Sequence, residues 1–133
     1  MTGMFPAPKV HRVPTRVGEA LRVLDWDHGG TPVVMLHPNG FCGGLYEPVA
    51  RALDGDARTI AIDLAGHGDS TTPTDPTRYR FVSMAHDVLE VLDQLGLRGI
   101  AGIGASLGGA VAALVDQLDP GRWSQLLLAE PVA

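Results

Sequence analysis

Residues 104–108 read Gly-Ala-Ser-Leu-Gly and lie between a short apolar segment and one with helical periodicity. They fit the pattern G-x-S-x-G, in which a strand reverses into a helix within a few residues. Such a turn forces its apex residue, Ser106, into a strained backbone conformation and lifts the hydroxyl clear of the sheet. Free N–H groups at the helix start then favour negative charge developing there. The pattern predicts a nucleophilic serine; the alternative is a glycine-rich turn with an incidental serine.

Two more segments carry residue types that could serve such a serine. Residues 37–41, His-Pro-Asn-Gly-Phe, follow an apolar run, and a loop there can supply a second backbone N–H to an oxyanion beside Ser106. Taken alone, the same residues are typical of a simple turn. Residues 63–70 contain two glycines that allow a sharp exit from a strand. We interpret that segment as mainly structural and predict that His67 is a packed loop histidine rather than a base.

The composition excludes several classes of protein. The 133 residues suit one domain, and 45% hydrophobic with 19% charged residues are typical of a globular chain. A net charge of −5 argues against nucleic-acid and anionic-membrane partners. The lone Cys42 allows neither an internal disulfide nor a cysteine-based zinc site. Since no secretory signal or membrane-spanning apolar stretch is found, we expect a cytoplasmic protein.

Predicted apolar strands alternate with predicted amphipathic helices along the chain. These elements must position the three loops at residues 37–41, 63–70 and 104–108. Predicted strands occupy residues 19–26, 32–36, 59–64, 100–103 and 126–129, and helical stripes occupy 45–53, 84–95 and 107–118. We also predict a turn at 27–30 and a loose terminus at 1–8, with a core from about 19 to 133. The alternation predicts an α/β fold: a mostly parallel, open sheet with helices on both faces. In such sheets chemistry lies at the carboxyl ends of the strands.

The order of the three segments resembles the first half of an α/β hydrolase of the serine-nucleophile branch. The resemblance covers residues 32–132. The chain would be a single partial domain over 1–133 that stops after the strand following the helix that begins just after Ser106. It implies that Ser106 is the nucleophile and that the backbone N–H groups of Asn39 and Leu107 form the oxyanion hole. Pro38 stands where the family usually has glycine, which makes the N–H of Phe41 a fallback donor.

The base that the serine needs is absent from its expected place. In this fold the order along the chain is serine, acid, histidine, yet all five histidines precede Ser106. Glu130, directly after the last predicted strand, matches the position where some relatives carry the acid; a strand-end carboxylate with a packing role is the alternative. We therefore expect a fragment of a longer hydrolase, with a natural short chain that pairs with another copy as the alternative.

The resemblance implies a serine hydrolase that acts on an ester or related small acyl substrate through an acyl-enzyme, with no metal or organic cofactor. Serine rather than aspartate at position 106 disfavours the dehalogenase and epoxide-hydrolase branches. By itself the 133-residue chain is expected to be inactive. Its last apolar strand, residues 125–129, would be an open edge, so we expect a homodimer or aggregate through it.

Two other functions stay open. One is a non-catalytic receptor or scaffold on the same fold. The other is a dinucleotide-binding domain, since Gly102, Gly104 and Gly108 precede Glu130 at a suitable distance. The third glycine of that fingerprint would fall at Leu107, which weakens the second alternative.

Overall fold

Six strands form one sheet in the computed structural model, which describes residues 5–27 and 29–131. The strands are β1 (Lys9–Arg16), β2 (Glu19–Trp26), β3 (Thr31–Leu36), β4 (Ala57–Ile62), β5 (Ile100–Ala105) and β6 (Trp123–Ala129). The helices are α1 (Glu47–Ala52), α2 (Phe81–Gln94) and α3 (Leu107–Leu118), and two short 3-10 turns cover Gly43–Tyr46 and Pro76–Tyr79. Their spatial order is β1-β2-β4-β3-β5-β6.

The sheet is parallel where the candidate site lies. β4, β3, β5 and β6 run parallel, whereas β1 and β2 join antiparallel at the β4 side. The chain leaves β3 for β4 on one side and returns to β5 on the other, which makes the carboxyl end of β3 a switch point. At such a point the loops that follow neighbouring strands diverge and leave a crevice for ligands.

Helices α2 and α3 cover one face of this sheet. In α2 the buried positions Met84, Val88, Val91 and Leu92 recur at helical spacing, so one stripe of the helix packs on the sheet. In α3 every residue from 107 to 112 is buried against β3 and β5. A smaller cluster, which includes Trp26, Met35 and Tyr46, lies on the other face near α1. No helix of the described residues is long and apolar enough to cross a membrane.

The predicted fold class is confirmed, with corrections to individual elements. Strand β2 and helix α3 have the predicted bounds. The sequence did not predict β1, because only Val13 is buried in it and Pro14 breaks its pattern. The helix expected over 45–53 is shorter: α1 begins at Glu47, and a 3-10 turn replaces its first part. Residues 1–4 of the predicted loose terminus, His28 of the predicted turn and Val132 at the end of the resemblance lie outside the described residues.

Candidate active site

Ser106 occupies a strained turn between β5 and α3. Its φ of 52° and ψ of −115° lie where non-glycine residues rarely occur. The flanking glycines leave room for this turn: a Cβ on Gly104 would lie 2.5 Å from the carbonyl oxygen of Gly108. A Cβ on Gly108 would overlap the Leu36 carbonyl at the end of β3. The two glycines are therefore required by close backbone contacts, and they hold the serine at the switch point.

Two backbone hydrogen bonds connect this turn, residues 104–108 and hereafter the elbow, to neighbouring segments. The N–H of Ser106 donates to the carbonyl of Ala129 at 2.9 Å, which ties the apex to the end of β6. The N–H of Gly108 donates to the carbonyl of His37 at 3.1 Å, which ties the start of α3 to the loop after β3. The structure thus brings together the segments 104–108 and 37–41 that the sequence singled out.

Asn39 and Leu107, the predicted oxyanion donors, line one cavity of about 270 Å³. Within the described part of the chain, neither backbone N–H donates a hydrogen bond to another backbone group. By contrast, the N–H of Phe41, the fallback donor, is engaged with the carbonyl of Pro38 at 3.2 Å. The geometry therefore favours Asn39 over Phe41 as the partner of Leu107.

His37 is fully buried and neutral. Its Nε2 accepts a hydrogen bond from the backbone N–H of Leu64 at 3.0 Å, so that nitrogen cannot carry a proton. Its Nδ1 lies 2.7 Å from the carbonyl of Pro38 and is the N–H donor of the ring. Burial lowers the pKa of His37, against the raising effect of the Pro38 carbonyl. Because both ring nitrogens form hydrogen bonds with backbone groups, His37 connects the loops after β3 and β4 and is not the base for Ser106.

We expect protonation of His37 to oppose folding. The imidazole of the unfolded chain has a pKa of about 6.5. Because the pKa is lower in the folded protein, the unfolded chain binds more protons than the folded one just below pH 6.5. The stabilisation present above pH 6.5 is therefore lost as the pH falls below that value, by at most about 1.4 kcal/mol per pH unit for one proton. Urea unfolding between pH 5 and 8 measures this slope. His37→Gln should flatten it, whereas His86→Gln, on the exposed side of α2, should not; an unchanged slope in His37→Gln would contradict the assignment.

His67 contacts the loop that carries Asn39. Its ring centroid lies 4.9 Å from that of His37, its Nε2 lies 3.1 Å from Asn39 Oδ1, and its Nδ1 lies 3.0 Å from the carbonyl of Ala65. This is the packed arrangement predicted for a loop histidine. The sequence did not predict the contact with Asn39, because nothing in the local pattern relates two loops 28 residues apart.

Asp63 is a second connection that sequence reasoning missed. It is fully buried at the end of β4, where its carboxylate accepts hydrogen bonds from the Arg22 Nε at 2.7 Å and from the N–H groups of Gly43 and Asp69 at 2.6 and 3.1 Å. It thereby links β2, the segment after the 37–41 loop and the 63–70 loop. The available signal was a carboxylate placed directly after a buried strand, a position that requires a partner.

Glu130 follows β6 at the same edge of the sheet as the elbow. It is exposed and has a φ of 46°, and its preceding residue Ala129 accepts the Ser106 N–H. Among the described residues no hydrogen bond joins the Ser106 hydroxyl to Glu130 or to a histidine. His11 pairs instead with Asp25, at the antiparallel side of the sheet. Within the described part of the chain, the predicted nucleophile Ser106 therefore has no base in hydrogen-bond contact.

Known proteins are similar to this chain in sequence. The model of a family described as "alpha/beta hydrolase fold" matches residues 31–131. A serine hydrolase-like protein of Danio rerio is 33% identical over 130 residues, which cover 97% of this chain and 40% of the relative. A haloalkane dehalogenase of Agrobacterium fabrum is 30% identical over 113 residues, or 84% of this chain and 36% of the relative.

A solved structure agrees with the sequence comparisons. An esterase from Exiguobacterium antarcticum superimposes with a TM-score of 0.84 at 30% identity, over 90% of this chain and 44% of that one. The chain thus spans less than half the length of these relatives. The family match covers most of this chain, and a solved relative superimposes over 90% of it, so the chain belongs to the α/β hydrolase fold family.

Proposed function

We propose that Ser106 is the nucleophile of a serine hydrolase that acts on an ester or related acyl substrate. One observation carries the proposal. Ser106 stands at a strained apex, and Asn39 and Leu107, whose backbone N–H groups bind no other backbone group in the described chain, line a common cavity. Strain of this kind persists where the surrounding packing enforces it, and it clusters at reactive sites.

The proposed chemistry follows from this geometry. The Ser106 hydroxyl oxygen attacks the substrate carbonyl carbon and transfers its proton to a base. The carbonyl oxygen becomes an oxyanion that the Asn39 and Leu107 N–H groups stabilise. The carbon–oxygen bond to the leaving group then breaks, the base returns the proton to that group, and an acyl-enzyme on Ser106 remains. Water, deprotonated by the same base, releases the acid and restores the serine.

The base is proposed to come from polypeptide beyond these 133 residues. His37 is committed to backbone groups, and none of the described histidines contacts Ser106. We propose that the chain is part of a longer hydrolase, since it spans 40% of the Danio rerio relative. Glu130 stays a candidate for the acid that orients the base, because it lies at the carboxyl edge of the sheet beside the elbow.

Labelling with a fluorophosphonate probe tests the nucleophile. We expect a longer version of the coding sequence to be labelled and the 133-residue chain to be unlabelled, a difference of at least about 1,000-fold in rate. Ser106→Ala in the longer version should abolish labelling. Ser124→Ala, at an exposed position of β6, is the matched control and should keep it. Labelling that survives Ser106→Ala would refute the assignment of Ser106 as the nucleophile. Labelling of the 133-residue chain would refute the proposal that the base lies outside it.

A non-catalytic receptor or scaffold is the second candidate. The observation that favours it is the lack of a base in contact with Ser106 among the described residues. Loss of labelling in every version of the protein would support it. The dinucleotide alternative has no such support, because Gly102 and Gly108 are explained by close packing against Trp123 and the Leu36 carbonyl.

We further propose that the 133-residue chain self-associates through β6. This strand pairs only with β5 in the described sheet, and Leu127 is 62% exposed on it. Unpaired strand edges of this kind act as templates for a second copy. Sedimentation at micromolar concentration should therefore show a dimer or larger species. Leu127→Lys should shift the equilibrium towards monomer, whereas Leu118→Lys, at an exposed position at the end of α3, should leave it unchanged. Sedimentation of the unmodified chain as a monomer would contradict the proposal.

A further inference from the structure

Asn39, which carries one of the two proposed donors, lies at the tip of a tight turn. Residues 38–41 form a four-residue turn, closed by the hydrogen bond from the Phe41 N–H to the Pro38 carbonyl, with Gly40 at a φ of 82°. Asn39 has the second position, whose N–H takes no part in the bond that closes such a turn. This position leaves the Asn39 N–H without a partner in the turn and places the residue on an exposed tip.

The base of this turn is fixed by backbone contacts, whereas its tip depends on one side chain. At the base, the carbonyl of His37 accepts a hydrogen bond from the N–H of Gly108 at 3.1 Å. At the tip, a Cβ on Gly40 would meet nothing within 4 Å, so the turn projects into open space there. Among the described residues, the one hydrogen bond of the Asn39 side chain joins its Oδ1 to the Nε2 of His67. The tip is therefore held by His67.

His67 is itself fixed by its own loop. Its N–H donates to the Leu64 carbonyl at 2.9 Å, and its carbonyl accepts from the Ser70 N–H at 3.1 Å. Its Nδ1 lies 3.0 Å from the carbonyl of Ala65, which leaves Nε2 for Asn39. An amide suits either form of the imidazole, because its oxygen accepts from the protonated ring and its NH₂ group donates to the neutral one. The contact between the two loops is therefore available in both protonation states.

We propose that His67 is a positioning residue for the reaction at Ser106, because its hydrogen bond to the Asn39 side chain limits the orientations of the turn that carries the donor. The inference rests on the proposed function, in which the Asn39 N–H stabilises the oxyanion. Such a donor must be held within about 0.5 Å of its working position. One hydrogen bond changes an equilibrium about three- to tenfold. Its loss should slow the reaction by that factor, less than the about 100- to 1,000-fold expected for loss of the donor itself.

Two variants of His67 separate the hydrogen bond from packing. His67→Phe keeps a ring against His37, whose centroid lies 4.9 Å away, but has no polar atom to offer. His67→Gln loses the ring and keeps a polar group that reaches Asn39. NMR relaxation on the 133-residue chain should show the order parameter of the Asn39 amide falling from about 0.85 to about 0.6 in His67→Phe and staying at about 0.85 in His67→Gln. The Phe41 amide, bound to the Pro38 carbonyl, should stay ordered in both.

The rate of fluorophosphonate labelling in the longer version measures the effect on Ser106. We expect His67→Phe to slow labelling about three- to tenfold and His67→Gln to stay within about twofold of the unmodified protein. Asn39→Ala keeps the backbone N–H and removes the amide, so it should slow labelling as much as His67→Phe. Because both changes break the same contact, the double variant should be no slower than either single one. An ordered Asn39 amide in His67→Phe, equal rates in the two His67 variants, or additive losses in the double variant would overturn the proposal.

Failure of this proposal is distinguishable from failure of the proposed function. Loss of order at Asn39 in His67→Phe, with no labelling in any version, would remove the nucleophile and leave His67 as the residue that holds the turn. Labelling that requires Ser106 but is equally fast in His67→Phe would keep the hydrolase and remove the role of His67.

Discussion

Replacing Gly108 with alanine is expected to lower the free energy of unfolding by several kcal/mol. The added Cβ would overlap both the carbon and the oxygen of the Leu36 carbonyl and lie 2.9 Å from the His37 carbonyl oxygen. These are backbone atoms of a central strand and its loop, so they cannot move aside as a flexible side chain would. Withdrawal of α3 would break the hydrogen bond from Gly108 to His37. Overpacking and a lost buried hydrogen bond together cost about 2–6 kcal/mol, a large share of the stability of an ordinary domain.

Urea unfolding followed by circular dichroism measures this cost, and Gly44→Ala is the matched control. Gly44 also lies near the loop after β3, but its φ is not positive and a Cβ there would meet only the Cys42 Sγ, at 3.8 Å. We expect Gly44→Ala to change the free energy of unfolding by less than about 0.5 kcal/mol. A Gly108→Ala protein within about 1 kcal/mol of the unmodified chain would show that the elbow does not pack against β3 as closely as described.

The sequence predicted those parts of the molecule that are local. The bounds of α3 follow from its own periodicity, and the elbow follows from two glycines around a serine between a strand and a helix. The parallel sheet follows from the alternation of apolar and amphipathic segments. The family assignment followed from the order of three such local motifs, and the comparison with known proteins confirmed it.

The parts that the sequence did not predict depend on contacts between distant residues. Strand β1 is held by its pairing with β2 along the sheet edge and buries only Val13, so it has little apolar pattern of its own. The contact of His67 with Asn39 and the three donors around Asp63 join loops and strands that are far apart in sequence. Residue types reveal that such a carboxylate needs partners, but only the fold determines which partners it has.

Asp63→Asn is expected to cost about 3 kcal/mol or more in the free energy of unfolding. The carboxylate accepts from three donors at once, the Arg22 Nε and the N–H groups of Gly43 and Asp69. An asparagine amide presents one oxygen and one donor group, so at least one donor would face another donor. Arg22 would keep its charge beside a neutral, buried amide. The segment from residue 37 to 43 would also lose its anchor, and we expect faster hydrogen exchange at the Gly43 amide.

Asp69→Asn separates this role from charge pairing alone. The Asp69 carboxylate pairs with the same arginine, through the Arg22 Nη1 at 2.7 Å, but its side chain is 73% exposed. Because solvent screens an exposed pair, its loss should cost less than about 1 kcal/mol and leave exchange at Gly43 unchanged. Equal losses of stability in the two variants would mean that Asp63 contributes only an ion pair. A large loss confined to Asp63→Asn, with faster exchange at Gly43, would establish that this buried carboxylate holds the Asn39 loop against the elbow of Ser106.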